Sequence, residues 1–399
     1  DLVRSRGLGD VYKRQGVDIP KDITPVVHYF ARQWVKSGHD VHVIHSVPKF
    51  PQIVYPLLMM CKNLIQNKYG GSFLTRPLKD DDYVLEGVHV HRRSIYKSYP
   101  HSLYTDKSLN QHAKQIEDFV KSNSYIPDVI SIHWDRPGLN IISRLLKKYN
   151  IPVAFIAHGA PPATSANIEA LKSISLIGYR SEPIRQDCIK QFDLSDKQQF
   201  MCYSGIPQAL IPNEVDSVSS RRRIYTYVGI MVKRKHPEAL LEALKNDKGS
   251  YFINYIGTGA MQSDLKALSQ KYKMAQMVNF AGRVPREKVC KLLQETKCFI
   301  MISSGEAFGL VYIEAMANGC ITIASRGEGM DGIIQDGING FLCESGNYTE
   351  LKNILDRIES MSCLELDSIA DAARKTVNQL TDEIVADMYL RELMKIAKH

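Results

Sequence analysis

Residues 298–325 read CFIMISSGEAFGLVYIEAMANGCITIAS, and this stretch decides the fold class. The apolar runs CFIMISS and CITIAS at its two ends have the length and composition of buried β-strands. Between them, IEAMANG is typical of a helix that ends at Gly319, because glycine readily adopts the backbone conformation that terminates helices. A strand, a helix and a second strand in this order predict one unit of a parallel sheet with a helix on its face.

The same alternation extends from residue 16 to the end of the chain, on both sides of the polar stretch NEVDSVSSRRR (213–223). Strands alternating with short helices indicate parallel sheets that are covered on both faces. We therefore predict an α/β protein with two tandem doubly wound, Rossmann-like domains that face a cleft, with ligands at the carboxyl ends of the strands. The predicted domains are residues 16–215 and 216–380, followed by a separate helix at 381–399.

The composition is that of an ordinary globular protein with enough apolar material for two cores. The chain has 399 residues, of which 24% are charged and 44% hydrophobic, and its formal net charge is +8. This basic excess suits an anionic partner, such as a sugar nucleotide, a phospholipid surface or a nucleic acid, without choosing among them. The eight cysteines form no CxxC pair, so they indicate neither a zinc site nor a redox motif, and they favour a cytoplasmic setting.

The first fifteen residues, DLVRSRGLGDVYKRQ, differ from the rest of the chain. Their GLGD segment does not follow an apolar strand, as a phosphate loop would. The string resembles translated sequencing-adapter sequence, and we interpret residues 1–15 as a non-native leader that forms no part of the predicted fold. On this interpretation the first native strand is missing, so we expect a vacancy in the sheet and a destabilised first domain.

Two carboxylates, Glu306 and Glu314, stand eight residues apart in the opening stretch. Gly309 lies between them, where the helix begins and its unpaired N–H groups form a site for an anion such as a phosphate. Carboxylates accept hydrogen bonds from paired hydroxyls, so this pattern suits a nucleotide sugar. From the spacing alone, a charge near the helix start and a solvated helix glutamate explain the two residues equally well.

The segment EAFGLVYIE (306–314) resembles the E-x7-E signature of retaining glycosyltransferases of family 4, which have the GT-B fold. Other segments are similar to motifs of that family in the same order: HG (158–159), YSGIP (203–207), VGIMVKRKHPEALLEAL (228–244), IGTG (256–259), NFAGRV (279–284) and IQDGINGFL (334–342). The resemblance covers residues 16–399. It implies an acceptor-side first domain, a second domain that binds the nucleotide sugar, and a final helix that packs back on the first domain.

The resemblance also implies roles for individual residues. Glu306 would hold the hydroxyls of the donor sugar, Lys235 would neutralise the diphosphate, and His158 would contact the sugar or the acceptor from the opposite domain. Among the implied donor-binding residues, Glu314 would hold the ribose, and the backbone of Phe308, Gly309 and Leu310 would cradle the distal phosphate. Arg283 and Val284 would border the base, and Gly16 would lie under the phosphates.

One position departs from the family pattern. Ile230 follows Gly229 where the family usually has an arginine, and an apolar side chain cannot neutralise a phosphate. Lys233 or Arg234 could reach the same place, although lysine does not reproduce the two-pronged contact of arginine. This departure leaves open a non-catalytic protein that binds sugar nucleotides. A sugar-nucleotide epimerase shares the same architecture and is a second alternative, although the E-x7-E context argues against it.

Other patterns are weaker. The sequence IGTGAMQ lacks the third glycine of a dinucleotide fingerprint, and no P-loop motif occurs, so we expect no cofactor. Asp80–Asp82 are interpreted as a solvated loop rather than a metal-binding pair, which predicts metal-independent transfer. His89 and His91 share one face of a predicted strand and could bind a metal, but an exposed face is the favoured explanation. Arg221–Arg223 are interpreted as a solvated linker rather than a nucleic-acid site.

The resemblance therefore implies a retaining hexosyltransferase that moves a sugar from a nucleoside diphosphate, with UDP favoured over GDP, to a hydroxyl group. No residue is a convincing covalent nucleophile, so we expect the acceptor to attack on the face of the leaving phosphate. The predicted acceptor is a glycan or a lipid-linked sugar in surface polysaccharide synthesis, for example of lipopolysaccharide. Residues 49–102 mix aromatic, basic and apolar residues, which fits an acceptor site, peripheral contact with the inner face of a membrane, or an ordinary lobe.

Overall fold

The structure is a computed structural model and describes residues 26–61, 76–100, 102–122, 125–145 and 150–397. Within these ranges the strands are β1 (His42–Lys49), β2 (Asp81–Leu85), β3 (Val88–Tyr96), β4 (Ile130–His133), β5 (Val153–Ala157), β6 (Leu176–Tyr179), β7 (Gln198–Met201), β8 (Ile224–Val228), β9 (Phe252–Ile256), β10 (Val278–Gly282), β11 (Cys298–Ile300), β12 (Ile321–Ser325) and β13 (Phe341–Cys343).

Among the described residues, one α-helix precedes β1, and the others lie between the strands or after the last of them. They are α1 (Val26–Lys36), α2 (Val54–Met60), α3 (Asp106–Ser122), α4 (Gly138–Leu145), α5 (Ser165–Lys172), α6 (Glu182–Gln191), α7 (Glu238–Leu244), α8 (Gln262–Lys271), α9 (Arg286–Glu295), α10 (Leu310–Ala317), α11 (Tyr348–Ser360), α12 (Cys363–Val377) and α13 (Asp382–Met394). Among the described residues, no helix combines the length and the apolar composition that a membrane span requires.

The first half of the chain forms two sheets. In one, β3 pairs in parallel with β1 and antiparallel with β2, and in the other β4, β5, β6 and β7 follow one another in parallel. All residues of β5 and β6 are buried, as expected for parallel strands that carry helices on both faces. The expected vacancy concerns a strand before residue 26, which lies outside the described residues.

The second half forms one six-stranded parallel sheet with the order β10-β9-β8-β11-β12-β13. Within this sheet β8 comes first in sequence, β9 and β10 follow on one side of it, and the last three strands lie on the other side. The strand order therefore reverses between β8 and β11, and ligands of such sheets bind in the crevice at this switch point. The predicted α/β fold of Rossmann-like parallel sheets is confirmed.

Close approach of backbone explains the glycines of IGTG. A Cβ atom on Gly257 would clash with the carbonyl oxygen of Gly229, and one on Gly259 would clash with the backbone of Met231. The loop after β9 thus packs directly against the loop after β8, which leaves no room for side chains. These glycines therefore shape the crevice at the switch point.

Three expectations about polar segments are wrong. Asp81 and Asp82 belong to strand β2 and not to a solvated loop, because β2 is an edge strand on which charged side chains are tolerated. His91 is buried rather than exposed. Arg221 does not solvate a linker: its guanidinium donates to the carbonyl oxygens of Thr296 (2.8 Å) and Asn318 (2.9 Å).

The two halves are joined where two chain segments run side by side. The N–H of Ile206 donates to the carbonyl of Leu380 (3.1 Å), and the N–H of Asp382 donates to the carbonyl of Ile206 (3.0 Å). At Gly205 a Cβ atom would lie 2.5 Å from the backbone nitrogen of Asp382, so this position requires a glycine. The outgoing and returning connections thus form one hydrogen-bonded hinge.

Beyond the hinge, helix α13 packs against α1 of the first half, which confirms the predicted return of the final helix. The indole N–H of Trp34 donates to the carbonyl of Ala386 (2.8 Å). The buried ring of Tyr389 makes edge contacts with Phe30 and Trp34 at centroid distances of 5.3 Å and 5.0 Å. Aromatic burial of this kind is a large apolar contribution to stability.

Candidate active site

The loops that follow β8 and β11 meet at the switch point of the six-stranded sheet. A short 3-10 turn, Lys233–Lys235, follows β8. The N–H of Ser304, beyond β11, donates to the carbonyl of Arg234 (2.6 Å), and the Ser304 hydroxyl lies 3.0 Å from Nε2 of His236. These bonds hold the two loops together, so side chains from either loop can act on one ligand.

Lys235 and Glu306 form an ion pair between these loops. The Nζ atom of Lys235 contacts Oε2 of Glu306, and both side chains are largely shielded from solvent, with 12% and 16% of their surface exposed. Two of the three predicted catalytic residues therefore lie together, although 71 positions separate them in sequence. A pair of this kind presents a cation and a hydrogen-bond acceptor at the same point of the crevice.

Glu328 holds the backbone in front of Glu306, and the sequence analysis missed it. Its carboxylate accepts the N–H groups of Gly305 (2.9 Å) and Glu306 (2.7 Å). The N–H of the next residue, Gly329, returns to the carbonyl of Glu306 (2.8 Å). Glu328 follows β12, so the rule that polar residues beyond the carboxyl ends of parallel strands serve the site could have identified it.

Gly309 caps the amino-terminal end of α10. Its φ is 88°, in the left-handed region that favours glycine, and a Cβ atom there would lie 2.5 Å from the ring of Tyr312. Phe308 is buried beside it, while Leu310 is half-buried against the core of the second domain. The predicted phosphate cradle therefore lies at a helix start, directly after the Glu306 loop.

Phe308 also contacts the first domain. The guanidinium of Arg180 lies over its ring at 5.3 Å, and the Tyr203 ring is 5.9 Å away. Arg180, which the sequence analysis also missed, is buried and donates to the carbonyl of Cys202 (2.7 Å). The loop that carries the predicted cradle therefore faces the first domain across the cleft.

Glu314 has a cationic partner of its own, Arg286. Its Oε1 accepts from Nε of Arg286 at 2.7 Å and lies 2.5 Å from Nη2. Burial raises the pKa of the Glu314 carboxyl, and Arg286 opposes that shift. Arg286 stands two residues after Val284, at the start of α9, and no feature of the sequence identified it as the partner of a buried carboxylate.

The other predicted donor-binding residues are Arg283, Val284 and Gly16. Arg283 is exposed and Val284 is half-buried, directly beyond the end of β10. Gly16 lies outside the described residues, so its predicted place under the phosphates stays a prediction.

His158 follows β5 in the first domain and is held by other aromatic groups. Its ring stacks on that of Trp134 at a centroid distance of 3.7 Å, and its Nε2 lies 3.1 Å from Nδ1 of His133. Burial, with nearby Arg180 and His133, holds the pKa of His158 well below its usual value. His158 is therefore a neutral ring at neutral pH, suited to hydrogen bonding with hydroxyls.

A second ring connects His158 to the final helix. His133 is buried, and this burial lowers its pKa to about 3. Its Nε2 lies 3.4 Å from the hydroxyl of Tyr389, which also contacts the hydroxyl of Ser131. If Tyr389 donates to His133, the remaining N–H of His133 donates to His158, and the N–H of His158 is left at Nδ1.

Arg234 lies near Ile230 in sequence and could supply the positive charge that Ile230 lacks. The carbonyl of Ile230 accepts the hydroxyl of Tyr227 (2.8 Å), which fixes the start of the loop. A guanidinium nitrogen of Arg234 lies 3.4 Å and 3.5 Å from the carbonyl oxygens of Ser304 and Gly305. A second cation thus lies against the loop that leads to Glu306.

Comparisons with known proteins find similar sequences. The family model of glycosyl transferases group 1 matches residues 213–376. The chain is 30% identical to N-acetyl-alpha-D-glucosaminyl L-malate synthase of Bacillus anthracis over 369 residues, 90% of each chain. It is 28% identical over 167 residues to the lipopolysaccharide core biosynthesis glycosyltransferase LpsE of Rhizobium meliloti, which is 42% of this chain and 48% of that protein.

Solved structures share the fold. The Anabaena protein HepE, in complex with UDP and glucose, superposes with a TM-score of 0.61 at 16% identity, over 90% of this chain and 100% of HepE. Sequence similarity along nine tenths of the chain, together with the family match across the six-stranded sheet, shows that the chain belongs to the glycosyl transferases of group 1.

Proposed function

We propose that this glycosyltransferase moves a sugar from a nucleoside diphosphate to a hydroxyl of a glycan or lipid-linked acceptor, with retention of the anomeric configuration. The observation that carries this proposal is the Lys235–Glu306 pair at the switch point, next to the glycine that opens α10. A cation, an acceptor of hydrogen bonds and a helix start at one place match the diphosphate and the sugar of such a donor.

On the diphosphate side, the proposed task is to stabilise the charge that develops as the leaving group departs. Lys235 is the cation of the ion pair at the switch point, and the N–H groups after Gly309 would bind the distal phosphate. Arg234, which lies against the Ser304–Gly305 carbonyls, is the proposed substitute for the arginine that Ile230 replaces. Because these groups supply positive charge, we propose that transfer needs neither a metal nor a cofactor.

On the sugar side, Glu306 and His158 approach from different domains. Glu306 would exchange its contact with Lys235 for the hydroxyls of the sugar when the diphosphate binds Lys235. His158 is neutral and would contact the sugar or the acceptor. We propose same-face attack, in which the bond from the anomeric carbon to the phosphate oxygen breaks, the acceptor oxygen bonds that carbon, and the acceptor proton passes to the leaving phosphate.

The donor and acceptor classes are supported by relatives rather than by contacts in this chain. UDP is favoured because HepE binds it in the same fold, and GDP stays an alternative. Surface polysaccharide synthesis is favoured because LpsE serves lipopolysaccharide core biosynthesis. The proposed setting is the cytoplasm, with peripheral contact to the inner face of a membrane.

Helix α2 supports that membrane contact. Its sequence VYPLLMM exposes Leu57, Met59 and Met60 to solvent, and Ile53 immediately before it is exposed as well. Exposed apolar side chains on consecutive turns, on a protein with a basic excess, fit the surface of an anionic bilayer. Sedimentation with vesicles that contain anionic lipid should capture the protein, and replacing Leu57 and Met60 with serine should abolish capture.

The central experiment is calorimetric titration with UDP, GDP, ADP and their sugar conjugates, followed by turnover assays with the conjugate that binds. We expect one diphosphate to bind, and we expect Lys235→Ala to weaken it by about 1.5–3 kcal/mol, the range for a charged hydrogen-bond partner. Glu306→Ala should lower turnover more than nucleotide binding. Binding without turnover would favour the non-catalytic alternative, and conversion of the donor without an acceptor would favour the epimerase.

A matched pair of variants tests the role of Arg234. Arg234 and Lys233 are both exposed on the same 3-10 turn, but a contact with the Ser304–Gly305 loop is seen for Arg234. Arg234→Ala should weaken diphosphate binding at least tenfold, whereas Lys233→Ala should change it less than twofold. Equal effects of the two substitutions would contradict the assignment.

A further inference from the structure

A cluster of metal-binding side chains lies at the amino-terminal ends of β1 and β3. Asp40, His42 and His89 each offer one ligand atom, and these atoms all lie within 4.8 Å of one another. His42 and His89 come together because they are partners in the parallel register of the two strands. Neither the proposed glycosyl transfer nor any other feature described above uses these residues.

The hydrogen bonds around His42 show that a positive charge is needed in this cluster. Nδ1 of His91 lies 2.8 Å from a carboxylate oxygen of Asp82, and a carboxylate can only accept, so His91 carries a proton on Nδ1. Nε2 of a neutral His91 is then an acceptor, and it lies 2.9 Å from Nδ1 of His42. His42 must therefore carry its own proton on Nδ1.

This assignment leaves two acceptors facing each other. Nε2 of a neutral His42 is a lone pair, and it lies 3.2 Å from a carboxylate oxygen of Asp40. The contact is attractive only if the two rings share one extra proton or if a cation lies in front of Nε2. A cation in front of Nε2 needs further ligand atoms around it, and Asp40 and His89 each offer one.

We propose that Asp40, His42 and His89 bind a divalent transition-metal ion, with zinc as the preferred ion. Imidazole nitrogens with one carboxylate are a typical ligand set for zinc, and water would complete the tetrahedron. The His91–Asp82 contact behind His42 is the outer-shell support that metal-binding histidines require, because it fixes the tautomer that presents Nε2 to the ion.

Binding requires a small adjustment of two ligands. Tetrahedral zinc with bonds of about 2 Å places its ligand atoms about 3.3 Å apart, which is closer than the 4.8 Å limit of this cluster. The His42 and His89 rings are nearly parallel, at 10° and 4.7 Å, and one ion cannot lie in both ring planes at once. Asp40 and His89 are accessible to solvent, so these two can turn toward His42.

The site would serve the fold and not the transfer. It lies at the start of β1, whereas ligands of parallel sheets bind at the opposite, carboxyl ends of the strands. Seven residue steps of about 3.3 Å separate the two ends of β1 by about 23 Å. An ion here would join β1, β3 and the loop before β1, and it would raise the stability of the first domain.

The test uses tag-free protein that has been treated with a chelator and then titrated with Zn²⁺ and with Co²⁺. We expect one equivalent of metal to bind the wild type and to raise the melting temperature. The Co²⁺ spectrum should show d–d bands without a thiolate charge-transfer band, which excludes binding by the exposed thiols Cys61 and Cys363. His39→Ala is the control, because it removes an exposed histidine next to Asp40 but outside the cluster.

The variants His89→Gln and Asp40→Asn should each weaken zinc binding more than tenfold, with little effect on the melting temperature of the metal-free protein. Asp82→Asn should weaken it 10- to 100-fold, the usual effect of losing an outer-shell partner. The proposal is overturned if the wild type binds no zinc below about 100 μM, if both variants bind like the wild type, or if cobalt shows thiolate ligation. Because Asp40 and His89 are accessible, at least one of their variants should fold and give a result.

Discussion

Replacing Glu314 with glutamine tests whether the second carboxylate of the E-x7-E pattern serves the fold, the donor or both. The side chain is 8% exposed, and its Oε1 is shared by two nitrogens of Arg286, which is 26% exposed. Breaking a buried ion pair usually costs about 3–5 kcal/mol. Glutamine keeps the shape and one acceptor oxygen, and Arg286 keeps part of its hydration. We therefore expect a smaller loss of about 1–2 kcal/mol in the free energy of unfolding.

The assay is urea unfolding followed by circular dichroism, for Glu314→Gln, Arg286→Met and the double variant. A coupling energy of about 1 kcal/mol between the two substitutions would show that they act through one another. Glu314→Gln should also be titrated calorimetrically with the nucleoside diphosphate that binds the wild type. If Glu314 also holds the ribose, the binding free energy of this ligand should weaken by about 1–3 kcal/mol. An unfolding free energy equal to that of the wild type would refute the value assigned to the pair, and unchanged donor affinity would remove Glu314 from the ribose role.

The other predictions concern the hinge and the final helix. Gly205→Ala should lower the free energy of unfolding, measured in urea, by about 3 kcal/mol, because the added Cβ would clash with the backbone at Asp382. A loss below roughly 0.5 kcal/mol, which is about the error of such a measurement, would show that the backbone of the hinge moves apart easily. Burial raises the pKa of Asp382 from 3.8 to about 6, against the opposing charge of Arg32. The folded state then keeps a proton that the unfolded chain releases, so stability is greater near pH 4 and falls as the pH rises to 6. Relative to Asp382→Asn, the wild type should lose about 2 kcal/mol between pH 4 and pH 6, and parallel pH profiles of the two proteins would count against the buried carboxyl. Tyr389→Phe keeps the ring contacts but removes the hydroxyl next to His133, so turnover should fall several-fold with little change in donor binding or melting temperature. An unaltered turnover would show that the final helix does not influence His158.

The sequence predicted the fold class because strands such as β5 and β11 are apolar runs and helices such as α3 and α4 are amphipathic. It could not predict the strand order, since the pattern of CFIMISS is the same wherever that strand lies in the sheet. It failed at Asp81 and Asp82, which look like a loop but form an edge strand that pairs with β3. Charged side chains on an edge strand are held by cross-strand partners, here Arg93 for Asp82, and such partners are visible only when the strands are paired.

For the candidate site, the sequence indicated the two loops but not how their side chains are bound. Glu306 and Lys235 were assigned to a sugar and to a diphosphate, and their mutual ion pair is a property of the folded chain. Glu328 and Arg286 were missed because their partners are a backbone N–H pair and a buried carboxylate, contacts that leave no periodic pattern in the sequence. The roles carried over from the family resemblance stay predictions that the variants above can test.

The hinge at Gly205 and the return of α13 have a consequence for biosynthesis. The first domain contains α1, which is synthesised before the whole of the second domain, and it is completed by α13, which is synthesised after it. While the ribosome makes the six-stranded sheet, the rings of Phe30 and Trp34 lack the surface that finally covers them, and chaperones could bind them during that interval. The second domain can close its own sheet first, and the first domain is completed only when the last helix leaves the ribosome.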